Sequence, residues 1–489
     1  MKAVLNNSWF YVFAISFALL NSYFLFSDEY FFGLLPLGLI AIYVAIYHFE
    51  LLFKFIIFCT PISFNIEEFV GGSIGLFIPT EPLLFGMLCI ICLKQMKRNM
   101  FDVEFLKHPI TIIFILQFVW LLLTSITSEL PLVSFKFLLV RLWFVVPVYF
   151  YGVEFFKKEK NIVQFVWLFT IGMAIVAAYT LIQHASYGFD EETGHWVMFP
   201  FFKDHTSYGA ILALIFPPLL GLLFYKKNGP LVRLTILFLI GLIGFAIVMS
   251  YTRAAWLSLV GALGIYLLIR FKIKFRYVAM LGSAVLIYVA FSITQIEHRL
   301  EKVNAEHATE NLDERIESMA NITTDASNLE RLNRWSCAYQ LWQERPVLGW
   351  GPGTYAMVYA PFQLSQNLTI ISTHSGNRGN AHSEYLGPLS EQGLPGMLLM
   401  FVLIGWIFYS GITTYLVMPK GEMRTLLLTL ILGLSTYFMH GFLNNYLDTD
   451  KASIPVWGIT AIIVMYDLKY KRQAKKLAHN QTPPEIQSN

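Results

Sequence analysis

Charge is what this sequence has least of: 14% of its 489 residues are charged, against 56% hydrophobic. A soluble domain carries charge on about a quarter of its residues, so an ordinary soluble globule is excluded. Cysteine is scarcer still. The chain has four, with Cys59, Cys89 and Cys92 in or beside apolar runs and Cys337 outside them, which excludes a disulfide framework. Cys89 and Cys92 have the spacing of a redox or metal pair, but inside an apolar helix they read as small packing residues. No small-residue cleavage site follows the first apolar stretch, so that stretch reads as an uncleaved anchor. The net charge of +3 comes from scattered cytoplasmic connections rather than a basic stripe, and nucleic acid is excluded as a partner.

What is abundant is apolar sequence cut to the thickness of a bilayer. Runs of about 17–20 residues, enough to cross the hydrocarbon core, recur near 8–26, 31–48, 49–63, 76–93, 109–126, 136–152, 163–182, 207–224, 232–250, 254–270, 276–293, 395–417, 424–442 and 453–468. The expected fold is an all-α integral membrane protein, a polytopic bundle of roughly 12–14 transmembrane helices. The lower number applies if 49–93 forms a re-entrant pair. Lys and Arg concentrate on the cytoplasmic side of membrane proteins, and runs such as KQMKR (94–98), FKKEK (156–160) and KYKRQAKK (469–476) alternate with nearly neutral loops. Both termini then face the cytoplasm. The layout gives N-terminal helices over 1–293, one large, partly helical outer loop over 294–394, three more helices over 395–468 and a cytoplasmic polar tail over 469–489.

A loop of that length in a compact membrane protein is usually functional. LERLNRWSCAYQLWQ (329–343) predicts a helix with Leu332, Trp335, Tyr339 and Trp342 on one stripe and Arg331 and Arg334 on a neighbouring face. PVLGWGPGTY (346–355) stops it in an irregular turn. Arg253, in the very short outer loop MSYTRAAWLSL, is a guanidinium at the membrane face, suited to a phosphate by its planar fork of donors. Arg141, with Lys136 about a turn before it, is a similar exception inside a predicted span. His382 stands immediately before the chain re-enters the membrane, where a neutral imidazole can take a proton from a hydroxyl. His374 is a second candidate, and Glu384 and Glu391 could orient or replace the base. Lys203, Asp204 and His205 read as a solvated cap on the next span. Asp448 and Asp450 in DTD have a spacing that could suit a divalent cation, but such spacing arises easily by chance, and no metal site is assigned.

Taken in order, these pieces resemble the O-antigen ligase and Wzy-type polymerase superfamily of bacterial surface polysaccharide assembly. SYTRAAWLSL is similar to that family's Ser-x-Ser-Arg-x-x-Trp-Leu helix start, with Thr252 where Ser is usual. ERLNRWSCAYQLWQERPVLGWGPGTY is similar to its Arg-x-x-x-Trp stretch and following Pro-Leu-Leu-Gly-x-Gly-Pro-Gly turn, which places the loop arginine on Arg331. AHSEYLGPLSEQGLPG resembles its His/Gly motif, on His382 and Gly393, with Ser383 where Asn is usual. The resemblance covers roughly 200–460. It implies a glycosyltransferase at the periplasmic face of a Gram-negative inner membrane, using an undecaprenyl-pyrophosphate-linked glycan as donor. Lipid A-core oligosaccharide is the leading acceptor, a second lipid-linked glycan (polymerase) or a protein the alternatives. It implies that Arg253 and Arg331 bind the pyrophosphate and His382 deprotonates the acceptor, with inversion and without cofactor or metal. Arg141, Lys136, Arg334, His374 and Glu384 are expected as weaker substrate contacts. A transporter or flippase would instead require two repeat-related halves with matching broken helices, which the sequence lacks.

Overall fold

The computed structural model describes residues 8–27, 32, 33, 35–68, 75–225, 228–273, 277, 280, 330–364, 368, 372 and 379–481. The chain divides into two compact units, 1–56 and 57–489. In the first, Ser8–Phe26 and Leu35–Tyr47 are helices built almost wholly from apolar residues. The next helix, Phe49–Cys59, has 11 residues. At about 1.5 Å per residue it reaches roughly half of the ~30 Å hydrocarbon core, so the predicted span at 49–63 is not a full crossing. Pro61, which has no N–H to continue a helix, follows it, and the chain turns into a small antiparallel hairpin of β1 (Phe64–Asn65) and β2 (Phe77–Ile78). The helix Thr80–Lys97 leads out of the hairpin.

Among the described residues nine helices are long and apolar enough to cross a membrane: Pro109–Ile126, Pro131–Phe155, Glu159–Ser186, His205–Leu223, Pro230–Met249, Arg253–Arg270, Leu386–Val417, Glu422–His440 and Asp450–Lys471. Each falls on a predicted segment, and the chain is an all-α, multi-pass membrane protein. Burial sorts the nine. Asp450–Lys471 is 94% buried and both His205–Leu223 and Glu422–His440 are 72% buried, whereas Arg253–Arg270 is 17% buried. The first three form the centre of the bundle; the last turns Leu257, Val260 and Leu263 outward, as a helix facing lipid must. The predicted segment 276–293 and the first half of the long loop lie outside the described residues.

The predicted restart of helix at 395 differs from what is found. Helix resumes at Leu386 and runs to Val417, interrupted at Gly393, where φ is 70° and ψ −173°. The break has a partner. Leu394 N–H donates to Pro346 O at 2.9 Å, Trp350 N–H to Ser390 O at 3.1 Å and Gly351 N–H to Glu391 O at 2.8 Å, so the Gly-rich turn is stitched to the kink backbone to backbone. A Cβ on Gly393 would stand 2.1 Å from Val347 O, and one on Gly349 (φ 67°) 2.3 Å from the carbonyl carbon of Glu391. Only glycine permits that approach with that backbone, which is the physical reason the two motifs carry it.

Candidate functional site

The helix over 330–344 is held on the stitched turn by its own backbone: Tyr355 Oη donates to Arg334 O at 2.7 Å and Trp350 Nε1 to Leu341 O at 2.9 Å. Its buried face is not the expected Leu332/Trp335/Tyr339/Trp342 stripe, of which Tyr339 is exposed. Instead Cys337, Ala338 and Leu341 pack with Tyr355, Tyr359 and Ala381. Small side chains at 337 and 338 let the two tyrosine rings close on the helix.

Arg331 and Arg334, expected on one face, go to different places. Arg334 is 4% exposed, pairs with Glu330 through Nε at 2.6 Å and lies 4.2 Å from the centre of the Tyr359 ring. Those contacts make it a strut of the loop. Arg331 turns toward Asp204 and Tyr446 instead, and its charge also falls on His205, His382 and His440. Burial draws its guanidinium below its ordinary range. Asp204 does cap the helix His205–Leu223, accepting from Ser207 N–H at 2.7 Å, but together with His205 it also faces this cluster, beyond the solvated-cap role read from sequence. The His205 ring stacks on His195 at 4.2 Å.

His382 has φ 47°, a sparsely populated conformation for a residue other than glycine. Its N–H donates to Asn380 Oδ1 at 3.0 Å and its carbonyl accepts from Trp335 Nε1 at 3.4 Å. Burial, then the nearby charges of Arg331 and Arg334, lowers the imidazole to a pKa of about 4. It is therefore neutral at physiological pH, the form that accepts a proton.

The connection over 441–449 closes the cluster. Glu384 Oε1 accepts from Tyr437 Oη at 2.6 Å, Tyr446 N–H at 2.7 Å and Leu447 N–H at 2.9 Å, which clamps residues 446–447 against the His382 segment. Burial raises this carboxyl to about 7. With its acceptor oxygen engaged three times over, Glu384 serves the architecture. Asn444 and His440, neither singled out by sequence, stand beside His382: the Asn444 side chain lies 3.1 Å from His440 Nε2 and within hydrogen-bonding reach of the His382 ring.

Arg253 opens its helix, Arg253–Arg270, with an exposed side chain. The residue before it supplies the tie to the site, since Thr252 Oγ1 donates to His205 O at 2.8 Å. Threonine thus performs the anchoring its hydroxyl permits. Arg141 lies elsewhere. It donates to Leu447 O at 3.0 Å and lines a cavity of about 260 Å³ with Asp448, Asn445, Glu384, Glu391 and Phe137. Burial raises the Asp448 carboxyl, opposed by the Arg141 charge. Glu391 Oε1 accepts from Tyr355 N–H at 3.0 Å. Lys136 is exposed one helical turn and more from Arg141 and does not join either group. Asp450 is buried and accepts from Ser63 and Thr80, both at 2.5 Å, so the two carboxylates of DTD face different surroundings. His374 lies outside the described residues.

A multi-pass helical membrane protein with a guanidinium, three imidazoles and a carboxylate gathered where its spans meet their connecting loops has the parts for handling an anionic, membrane-borne substrate. Comparison with known families places it further. Residues 237–401 match the Wzy_C family, O-Antigen ligase, and this domain supports the O-antigen ligase and Wzy superfamily and, at a coarse level, an enzyme of the ligase or polymerase type. The match spans the Thr252/Arg253 helix start, Arg331, the Gly-rich turn and His382. A search of curated proteins finds no match.

Proposed function

We propose that the protein is an O-antigen ligase-like glycosyltransferase that moves a glycan from undecaprenyl pyrophosphate to a hydroxyl of lipid A-core oligosaccharide, at the periplasmic face of the inner membrane. The observation that carries this reading is that the charge of Arg331 falls on the ring of His382, about fifty residues away in sequence, beside the start of a membrane helix. Arg331 receives the diphosphate and stabilises the charge that grows on it as the sugar bond breaks. Arg253, exposed at a neighbouring helix start, supplies a second guanidinium to the same lipid headgroup. The acceptor oxygen attacks the anomeric carbon, the bond from that carbon to phosphate breaks, and the electron pair leaves with undecaprenyl pyrophosphate. The hydroxyl proton passes to His382. One displacement without a covalent intermediate inverts the anomeric centre.

The low basicity of His382 fits this order of events. In the empty site Arg331 opposes a positive imidazole, and a bound diphosphate would offset that charge, so that the base strengthens as the donor arrives. The cavity beside Arg141 and Asp448 is offered as a place for acceptor sugar hydroxyls. Residues 294–394 act as the periplasmic loop in this arrangement.

The test is transfer in detergent with purified donor and acceptor. Wild type should form the linked product with no membrane gradient, and Arg331→Ala and His382→Ala should not, while both remain inserted. Product from either variant at the wild-type rate would remove that residue from the reaction. Stranding of full-length glycan on its lipid carrier in a deletion strain argues ligase; single repeat units on lipid A-core argue polymerase.

A further inference from the structure

Two residues at the connection over 441–449, His440 and Asn444, have no part in the reaction as described so far, yet they are joined by a hydrogen bond and Asn444 lies within reach of the His382 ring. His440 is the last residue of the helix Glu422–His440 and is 2% exposed; Asn444 follows one turn later and is 4% exposed. Leu443 N–H donates to His440 O at 2.9 Å, closing that turn. Tyr446 lies against the imidazole of His440, with ring centres 6.0 Å apart. The Glu384 carboxylate holds Tyr446 and Leu447 from the other side. Asn444 is thus fixed at both flanks.

An asparagine amide has one accepting and one donating end, and here the two ends meet two imidazoles. Asn444 Nδ2 stands 3.1 Å from His440 Nε2; an N–H donates there, so His440 accepts and carries its own proton on Nδ1. That Nδ1 is buried and makes no hydrogen bond among the described residues, which marks the tautomer as imposed by Asn444 and not chosen for its own sake. With the nitrogen end committed, the oxygen end is left for His382.

We infer that Asn444, oriented by His440, is the positioning residue of the transferase: its amide oxygen accepts from one His382 ring nitrogen and leaves the other to take the acceptor's proton. This rests on the proposed function, in which His382 is the base. The logic is that of any base whose second nitrogen is held by a third group, which fixes both tautomer and ring angle. The surrounding charges keep the chain in its working state. Arg331 and Arg334 from the helix over 330–344 face His382 with Asp204 opposing them. Arg331, Asp204 and His205 face His440. A protonated His440 could no longer accept from Asn444; the amide would turn and present its nitrogen to His382, the wrong end.

The test compares wild type, Asn444→Asp, Asn444→Leu, His440→Leu, His440→Gln and His382→Ala, purified, with undecaprenyl-pyrophosphate-linked glycan and acceptor, between pH 4 and 9. Asn444→Asp puts a carboxylate where the amide was and favours the imidazolium, so the acid limb of its rate profile should move to higher pH while KM for the donor holds. Asn444→Leu should lower kcat about tenfold or more with KM held. His440→Leu removes the acceptor that orients the amide and should lower kcat with KM for the donor held, and His440→Gln, which restores an acceptor, should recover part of that loss; the pair stays informative if the Asn444 variants fail to insert, since equal losses in the two would count against the chain. An unmoved acid limb in Asn444→Asp with kcat near wild type, alongside an inactive His382→Ala, would overturn the positioning role and leave the base in place. Wild-type transfer by His382→Ala would overturn the proposed reaction itself.

Discussion

Two of the buried polar clusters among the described residues differ in how their charges are met. At the start of the last helix Lys451 gives its protons to Thr60 O at 2.7 Å, Ser63 O at 2.5 Å and Ser63 Oγ at 2.6 Å, while its neighbour Asp450 accepts from Ser63 and Thr80. A cation and an anion lie side by side with hydrogen bonds around both. Around Arg331 the balance is different: imidazoles of His205, His382 and His440 face a guanidinium, with Asp204 opposing. The first cluster ties the start of the last helix to the segment around Ser63, although Asp450 Oδ1 has no hydrogen-bond partner among the described residues and the buried Glu81 carboxyl lies beside it. The second gathers one guanidinium, one carboxylate and three imidazoles, of which His382 is neutral, around the proposed diphosphate site. Burial alone does not separate structural charge from functional charge.

The sharpest way to break that contrast is to remove one member from each. His382→Ala or Arg331→Ala should reduce transfer by about 10²–10⁴-fold with thermal unfolding little changed. Lys451→Met should do the reverse: it leaves Asp450 buried without its cation, at about 3–5 kcal/mol, so the melting temperature falls steeply while the folded fraction keeps its KM for donor. Equal effects on stability from both would erase the distinction. Within the long loop, Arg334→Ala should resemble Lys451→Met rather than Arg331→Ala, because it strands Glu330. The double change Arg334→Met with Glu330→Gln should recover folding and activity together. Gly393→Ala should cost more than about 1 kcal/mol, read as a lower melting temperature, because a side chain there collides with the turn at Val347.

The smallest effect concerns pH. His382 is held near a pKa of about 4 in the empty site, so its neutral form persists well below pH 7 and is lost only as pH falls through that value. The acid limb of kcat/KM, which reports free enzyme, should therefore lie near pH 4–5 by this reasoning. The limb of kcat should lie higher, because bound diphosphate offsets Arg331. Coincident limbs would mean that the donor does not reach the base.

Much of the fold was legible because bilayer crossing imposes a length and a composition on each helix, and the nine long helices fall where apolar runs were found. Short-range exceptions were not: the 49–63 run is apolar enough to cross, yet Pro61 and the hairpin cut it short. The site was legible where backbone geometry demands particular residues. Gly349 and Gly393 stand where only glycine permits the stitched turn, whereas Arg331 was singled out by the family resemblance and His382 by its place just before the chain re-enters the membrane. Which of Arg331 and Arg334 turns inward depends on Glu330 and Tyr359, a matter of packing that spacing does not encode. Asp204 and His205 were read only as a helix cap, and His440 and Asn444 were missed, for a related reason. Each sits singly at a helix end or in a short loop, where a polar residue is unremarked, and only tertiary folding brings the four to one place.

The central claim is tested most directly by a structure with an undecaprenyl-pyrophosphate analogue bound in a lipid nanodisc. The diphosphate should lie on Arg331, with the His382 ring facing the space beside the first sugar. Diphosphate seated instead in the Arg141 and Asp448 cavity, or at the basic connections over 94–98 and 156–160, with Arg331 untouched, would contradict it.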